Sequence, residues 1–310
     1  MKTKLLVAAM ICLTTTSVMG SIASYKTWKR KALASLQAGS QIVNTGVGPV
    51  EYRISGKGPA VLIAHGTPGG YDQSFAFSKL LSMTERSRSN TMKHTFISLS
   101  RPGYLQTPLE SGRTPAEQAD LYASLLDELG IQQASIIGFS GGGPSALQFA
   151  LRYPERCQKL AIISGVAQSY SEEELQAGWS PLQRWFSQFY SRLILFDPLL
   201  YAMLPFARLA PQAASEDLLR SVMMYSIRQQ GYENDMEQFL ALKPYPLAQI
   251  KASTFVLHGT ADGEVPYADA ELLASQIPNV QLVTIKNGGH QAFYTHARFA
   301  MPLLRNFLTQ

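Results

Sequence analysis

The chain has 310 residues, of which 46% are hydrophobic and 16% charged, which suits one large domain with a buried core. The formal net charge of +5 arises at the amino terminus, because six of the 27 lysines and arginines, and no acidic residue, lie before residue 32. The 21 basic residues of the remaining chain face 22 acidic ones, so we expect no nucleic-acid partner.

The first 31 residues predict a segment that meets a membrane. Between Lys4 and Lys26 there are 21 uncharged residues, enough helix to cross a hydrocarbon core of about 30 Å. The basic cluster at residues 26–31 resists export of the chain beyond it, and Tyr25 and Trp28 beside it suit a membrane interface. We therefore favour a single uncleaved membrane anchor. The alternatives are a cleaved secretory signal, which would export the protein, and a buried first helix in a cytosolic protein. The side of the membrane stays open.

Residues 41–64 predict three strands, and the last of them, residues 60–64 (AVLIA), is uninterrupted, as in a strand buried on both faces. It leads directly into residues 65–70 (HGTPGG). A glycine-rich loop after a buried strand can bring backbone N–H groups close to a substrate, as one half of an oxyanion hole. Because Pro68 has no N–H, we assign the donor to the backbone of Thr67. A sharp turn without a function is the alternative.

A helix over residues 72–86 and a strand over residues 95–99 come next. Residues 114–117 (TPAE) have the pattern of a capping box with proline at the first helical position, and Gly130 ends the helix that they begin. A further strand is predicted at residues 160–164. Because strands and helices alternate, we expect a parallel sheet that is covered on both faces by helices.

Residues 136–144 (IIGFSGGGP) predict a tight turn from a buried strand into a helix, with Ser140 at its tip. Side chains two residues before and after this serine would clash, and Gly138 and Gly142 occupy those positions. The helix N-terminus favours negative charge, and the N–H of Gly141 is the second predicted oxyanion donor. This pattern, G-x-S-x-G, is that of a nucleophile elbow. A structural glycine-rich turn is the alternative unless a histidine and an acid accompany the serine.

The alternation of strands and helices stops between residues 168 and 249. This stretch has many aromatic residues, and prolines divide it into short predicted helices. We predict a helical insertion that caps the carboxyl edge of the sheet, with the core domain formed by residues 41–167 and 250–310. The acidic run at residues 172–174 is interpreted as the solvated first turn of a helix.

Two further strands come after this stretch, and each leads into a short motif: residues 258–266 (HGTADGEVP) and residues 287–290 (NGGH). Asp262 and His290 come directly after predicted strands, as Ser140 does. The carboxyl ends of parallel strands share one edge of a sheet, so we expect the three side chains to converge. His65 and His258 each open a glycine turn, and we expect both to be structural.

Together these motifs resemble the α/β-hydrolase superfamily over roughly residues 41–310. The resemblance implies an α/β fold with a mostly parallel central sheet, flanking helices and a helical cap. It also implies that Ser140 attacks an acyl carbon of a small-molecule substrate, that His290 transfers its proton and that Asp262 orients His290. Backbone N–H groups of Thr67 and Gly141 bind the oxyanion. Arg101 resembles a family position that braces the loop after its strand, which implies a structural and not a catalytic role. No metal or organic cofactor is required.

The substrate class is left open among several activities. Ser140 argues against epoxide hydrolases and haloalkane dehalogenases, whose nucleophile is aspartate. Esterase, lipase, lactonase, thioesterase, carbon–carbon bond hydrolase and aminopeptidase remain compatible. Residues 65–70 also resemble proline iminopeptidases, and residues 172–174 could hold a substrate ammonium, but residues 100–103 (SRPG) depart from the Asp-Gln-Arg-Gly run usual there.

We favour a serine hydrolase that cleaves carboxylic esters of a fairly apolar substrate, because of the aromatic insertion and the apolar N-terminal segment. An aminopeptidase of the proline iminopeptidase type is one alternative. A non-catalytic binding protein on the same fold is the other. The oligomeric state is left open.

Overall fold

The computed structural model describes residues 23–83, 93–171 and 224–310, together with residues 174, 180–182, 185, 197–198, 201–202 and 221–222. Its centre is a sheet with the strand order β1-β2-β4-β3-β5-β6-β7-β8. The strands are β1 (Gln41–Asn44), β2 (Pro49–Gly56), β3 (Ala60–Ala64), β4 (Thr95–Leu99), β5 (Ala134–Phe139), β6 (Cys157–Ile163), β7 (Ser253–Gly259) and β8 (Val280–Ile285). Strand β2 is antiparallel to β1 and β4, and the other neighbouring strands are parallel. The predicted, mostly parallel sheet is confirmed.

Helices lie on both faces of this sheet. They are α1 (residues 23–38), α2 (Tyr71–Met83), α3 (Pro115–Glu128), α4 (Gly143–Arg152), α5 (Gln229–Leu240), α6 (Ala268–Gln276), α7 (Ala292–Thr295) and α8 (Ala297–Thr309). Helix α3 begins with the predicted capping box: Thr114 Oγ1 accepts a hydrogen bond from the Glu117 N–H, and the Glu117 carboxylate accepts one from the Thr114 N–H. The α/β architecture is therefore as expected.

Alternate residues of the central strands supply two hydrophobic cores, one on each face of the sheet. Every residue of β3 is buried. Leu62 packs into the core that includes α3, α4 and α6. Ile63 packs into the core that includes α2, α7 and α8. Complete burial of one such side chain stabilises the fold by about 1.5–3 kcal/mol, so a continuous apolar strand between two helical layers is strongly held.

Two details of the C-terminal region differ from expectation. The sequence predicts that Pro302 kinks or divides the last helix. It does not divide the helix, because Pro302 lies inside α8, which continues past it. The division falls instead at His296, whose φ of −112° and ψ of 28° separate α7 from α8. A proline in a helix removes one hydrogen bond, and burial of the apolar face of α8, with Met301 and Leu304 fully buried, offsets that loss.

Much of the predicted insertion, residues 168–249, lies outside the described residues, so its separation as a cap domain stays a prediction. In the portion that is described, α5 replaces the strand–helix alternation, and no strand occurs between β6 and β7. The first turn of α5 packs on the turn after β4, where the Gly231 N–H donates to the Gly103 carbonyl at 2.9 Å. Helix α5 therefore lies across the carboxyl edge of the sheet.

Helix α1 is attached to the insertion. Lys29 Nζ lies 2.8 Å from Asp197 Oδ2, and the rings of Trp28 and Tyr25 contact the ring of Tyr201 in tilted arrangements. These two aromatic rings, interpreted from sequence as an interfacial pair, thus have partners within the protein. Residues 1–22, which carry most of the predicted anchor, are outside the described residues. No helix in the part of the chain that the structure describes has both the length and the apolar character to span a membrane.

Candidate active site

Ser140 lies at the tip of the turn between β5 and α4. Its φ of 50° is in the left-handed region, which a residue with a side chain adopts only when the surrounding structure holds it there. A methyl group placed on Gly138 would come within 2.7 Å of Ala146 Cβ, and one on Gly142 within 2.7 Å of the His65 carbonyl oxygen. Both glycines are therefore required by close approach, as the sequence predicts for an elbow.

The structure brings the three predicted polar side chains together at the carboxyl edge of the sheet. Ser140 Oγ lies 2.9 Å from His290 Nε2, and His290 Nδ1 lies 2.9 Å from Asp262 Oδ2. Each residue comes after the end of a parallel strand: β5, β7 or β8. The chain of hydrogen bonds gives the serine a base, and gives the base an acid that fixes its tautomer.

The environment sets the charge of the imidazole and of its carboxylate. Burial opposes protonation of His290, but the hydrogen bond to Asp262 and the nearby charges of Glu264 and Asp262 outweigh it and raise the His290 pKa above 6.5. Burial alone would raise the pKa of Asp262, but hydrogen bonds from His258 and His290 lower it well below its ordinary value. Asp262 is thus ionised at neutral pH and can stabilise an imidazolium beside it.

His258 contacts Asp262, and its interpretation from sequence as a structural residue did not include this contact. Its Nε2 lies 3.1 Å from Asp262 Oδ2 and 3.0 Å from the Val265 carbonyl. The other Asp262 oxygen accepts hydrogen bonds from the N–H groups of Glu264 and Val265, both at 2.9 Å. His258 therefore holds the carboxylate in place. The sequence feature that could have revealed this contact is the position of His258 at the end of β7, four residues before Asp262.

Glu264 is a second acidic group beside the imidazole. Its carboxylate lies 3.7 Å from His290 Nε2, the nitrogen that faces Ser140, and its side chain is 68% exposed. A negative charge here favours the protonated form of His290 and would repel an anionic substrate at the mouth of the site. The role of Glu264 is not recognisable from the sequence, because an exposed glutamate in a loop carries no local signature.

The two predicted oxyanion donors are neighbours in space. A methyl group placed on Gly141 would lie 3.1 Å from Thr67 Cβ, and one on Gly66 would lie 3.0 Å from Ser140 Cβ. Gly141 belongs to a single 3₁₀ turn (Ser140–Gly142) at the start of α4, and the first N–H groups of a helix have no partner within it. Backbone N–H groups can therefore face an oxyanion formed at Ser140.

Helix α5 contributes both apolar and charged residues to this edge. A methyl group on Gly141 would come within 2.9 Å of Phe239 Cζ, so this ring borders the space above Ser140. Met236 and Leu240, one turn apart on α5 and next to Phe239, are exposed. Asp235, one turn before Phe239 on the same side of α5, is buried and accepts hydrogen bonds from the guanidinium of Arg101. The expectation that Arg101 is structural agrees with this contact.

No group of histidine, cysteine, aspartate and glutamate side chains in the described ranges is arranged to hold a metal ion.

Ser140, His290 and Asp262 at the carboxyl edge of a mostly parallel sheet are the arrangement of an α/β-hydrolase fold, and comparison with known proteins supports this class. A family model for the alpha/beta hydrolase fold matches residues 59–297. The chain therefore belongs to the α/β-hydrolase fold family, and it is a hydrolase of that fold.

Three similar proteins illustrate the range of the family. A poly(3-hydroxyalkanoate) depolymerase from Ectopseudomonas oleovorans is 33% identical over 67% of this chain and 72% of the relative. A 2-hydroxymuconate semialdehyde hydrolase from Pseudomonas putida is 30% identical over 67% of this chain and 74% of the relative. A solved structure, an alpha/beta hydrolase fold protein from Nakamurella multipartita, is 33% identical, with a TM-score of 0.66 over 87% of this chain and 98% of that chain.

Proposed function

We propose that the protein is a serine hydrolase that cleaves carboxylic esters through an acyl-enzyme. The observation that carries the proposal is the 2.9 Å contact between Ser140 Oγ and His290 Nε2, continued by the 2.9 Å contact between His290 Nδ1 and Asp262 Oδ2. A serine so placed can lose its proton to the imidazole as it attacks. Asp262 then stabilises the imidazolium without taking its proton.

The reaction has two halves that use the same groups. Ser140 Oγ bonds to the carbonyl carbon, and the N–H groups of Thr67 and Gly141 stabilise the oxyanion. The imidazolium of His290 returns its proton to the leaving alcohol, and the C–O bond breaks to leave an acyl-Ser140. A water molecule then loses a proton to His290 and attacks the acyl carbon, which releases the acid and restores the serine.

Two observations support a neutral, fairly apolar ester as the substrate. Phe239, with the exposed Met236 and Leu240 beside it, gives α5 an apolar edge at the site. The exposed Glu264 carboxylate, 3.7 Å from His290 Nε2, disfavours anionic substrates. The name of the depolymerase relative denotes action on a polyester, which is consistent with ester cleavage.

Two other activities stay as alternatives: one is suggested by the name of a relative, and the other by the charge of Glu264. The 2-hydroxymuconate semialdehyde hydrolase acts on a compound without an ester bond, but with a carboxylate that Glu264 would repel. An aminopeptidase would present an ammonium, which Glu264 would attract. Of the acidic run proposed to bind that ammonium, Glu174 accepts a hydrogen bond from the Ser171 N–H at 2.7 Å, as a helix cap does. Glu172 and Glu173 lie outside the described residues.

A substrate panel distinguishes these activities. We expect Ser140-dependent turnover of p-nitrophenyl esters, faster for butanoate to octanoate than for acetate and slower when the acyl chain ends in a carboxylate. Turnover of L-proline p-nitroanilide or of 2-hydroxymuconate semialdehyde at rates that exceed every ester would contradict the ester proposal. Ser140→Ala is the control, because it removes the nucleophile and leaves the pocket.

We also propose that the N-terminal segment attaches the protein to a membrane, with a small-molecule substrate reaching the site close to that surface. Two features support this proposal. The residues between Lys4 and Lys26 are uncharged, and the basic side chains of Lys26, Arg30 and Lys31 on α1 are exposed. Cell fractionation tests this proposal: the full chain should sediment with membranes, and a chain that starts at residue 23 should not.

A further inference from the structure

We propose that Asp235 on α5 is a positioning residue for the oxyanion hole. Through its carboxylate, the insertion holds the loop of residues 65–70, whose Thr67 N–H is the proposed donor. This inference rests on the proposed function, because it assigns a role in the same reaction. It adds a requirement that the motifs alone do not imply: the hole is complete only when α5 is docked on the core.

The Asp235 carboxylate accepts hydrogen bonds from three residues of the core domain. Oδ1 accepts from Arg101 Nη1 at 2.8 Å, and Oδ2 accepts from Arg101 Nη2 at 2.5 Å and from Tyr104 Oη at 2.5 Å. Oδ2 also accepts a short hydrogen bond from the hydroxyl of Thr67. Asp235 is only 2% exposed, so these hydrogen bonds are shielded from water. Hydrogen bonds to a charged group are stronger in the protein interior than in water.

These contacts hold the oxyanion loop at successive residues. The Thr67 hydroxyl is fixed between Asp235 and Arg101 Nη2, the latter at 3.0 Å. Two residues earlier, Arg101 Nε donates to the His65 carbonyl at 2.9 Å, and the Arg101 N–H donates to His65 Nε2 at 2.9 Å. The direction of the Thr67 N–H depends on the backbone between these points. Asp235 orients Arg101 and Thr67 together, and thereby fixes that direction.

A second contact connects the same loop to the residue that precedes α5. Arg228 is fully buried, and its Nη1 donates to the Gly69 carbonyl, while its Nη2 pairs with Asp72 Oδ2 at 2.8 Å. The loop is thus attached at Thr67 and at Gly69 to one segment of the insertion, residues 228–235. Displacement of a reacting group by about 1 Å can reduce a rate by about 100-fold, so release of this segment would impair catalysis without altering the triad.

A purely structural role for Asp235 makes a different prediction from a positioning role. Loss of a buried ion pair lowers stability in either case. Only a misplaced oxyanion donor weakens the transition state more than the bound ester, which lowers kcat while KM changes little. It also weakens an inhibitor that forms a tetrahedral adduct at Ser140 by a similar factor, and it leaves the pH dependence set by His290 unchanged.

The test compares Asp235→Asn, Thr67→Val and Thr67→Ser with the parent on a p-nitrophenyl ester. We expect kcat to fall by about 10- to 100-fold in Asp235→Asn and Thr67→Val, with KM within about threefold. The inhibition constant of an alkyl trifluoromethyl ketone should rise in parallel. Thr67→Ser keeps the hydroxyl and should retain most of the parental kcat. Asp120→Asn is the matched control, because it removes a carboxylate from a partly exposed pair with Arg152.

The outcomes separate the two proposals. Parental kcat and ketone affinity in folded Asp235→Asn and Thr67→Val would overturn the positioning role while Ser140-dependent turnover upholds the proposed function. If the parent itself shows no Ser140-dependent turnover, both proposals are overturned. If Asp235→Asn does not fold, the comparison of Thr67→Val with Thr67→Ser decides: equal kcat and equal ketone affinity in these two variants would contradict the positioning role.

Discussion

At the scale of single residues, the pKa of the His290 imidazole is set by burial and by two neighbouring carboxylates. His290 is buried between Ser140 and Asp262, where desolvation alone would keep it neutral, yet the two acidic residues that face it raise its pKa. Asp262 acts through a hydrogen bond at 2.9 Å. Glu264 acts through its charge, from 3.7 Å. Glu264 can be substituted without removing a group that the proposed proton transfers need, because it is exposed to solvent and takes no part in those transfers.

This arrangement gives a pH prediction. His290 must be neutral to accept the serine proton, so kcat/KM should fall as pH drops through its raised pKa, above 6.5. Glu264→Gln removes a negative charge, which lowers that pKa and moves the acid limb to lower pH at low salt. The variant should therefore be about two- to threefold more active than the parent at a pH on the acid limb, and similar to it on the alkaline plateau.

The measurement is the pH profile of kcat/KM for a neutral ester at low and high ionic strength. Because Glu264 is exposed, the shift should shrink as salt screens its charge. Glu155→Gln is the control, since Glu155 precedes β6 at the opposite edge of the sheet and pairs with Lys251 at 3.2 Å. Coinciding profiles for the parent and Glu264→Gln would show that the Glu264 charge does not act on His290.

At the scale of elements, the strands and helices that carry local signatures were predictable from sequence. The unbroken apolar run of β3 is recognisable because both faces are buried, and the elbow after β5 because only glycine fits beside Ser140. The start of α3 was predictable because its cap is made by residues three apart. The division at His296 was not, since it depends on how α7 and α8 pack on the sheet.

The capping box gives a stability prediction. Thr114→Ala removes the acceptor for the Glu117 N–H, and we expect the free energy of unfolding to fall by about 1 kcal/mol. Urea denaturation followed by circular dichroism measures this change. Thr114→Ser, which keeps the hydroxyl oxygen, should lie within a few tenths of a kcal/mol of the parent. An unchanged midpoint in Thr114→Ala would show that this cap does not contribute to stability. Ester turnover should be the same in all three proteins.

At the scale of the whole molecule, contacts between residues far apart in the chain are not recognisable from local sequence patterns. Ser140, Asp262 and His290 could be placed together because a parallel sheet brings the ends of its strands to one edge. Asp235 and Arg101 are 134 residues apart, and nothing in either local sequence shows that a helix of the insertion docks on the turn after β4. Such contacts depend on tertiary packing, which periodicity and motifs do not report.

The proposed mechanism requires that Ser140 is a nucleophile activated by His290. This requirement can be tested by intact-mass spectrometry after exposure to an alkyl fluorophosphonate, with Ser140→Ala and His290→Ala alongside. We expect one adduct on the parent, none on Ser140→Ala and a much slower reaction of His290→Ala. A folded parent that stays unmodified, or a Ser140→Ala protein that is modified as fast as the parent, would contradict it and favour a binding protein built on this fold.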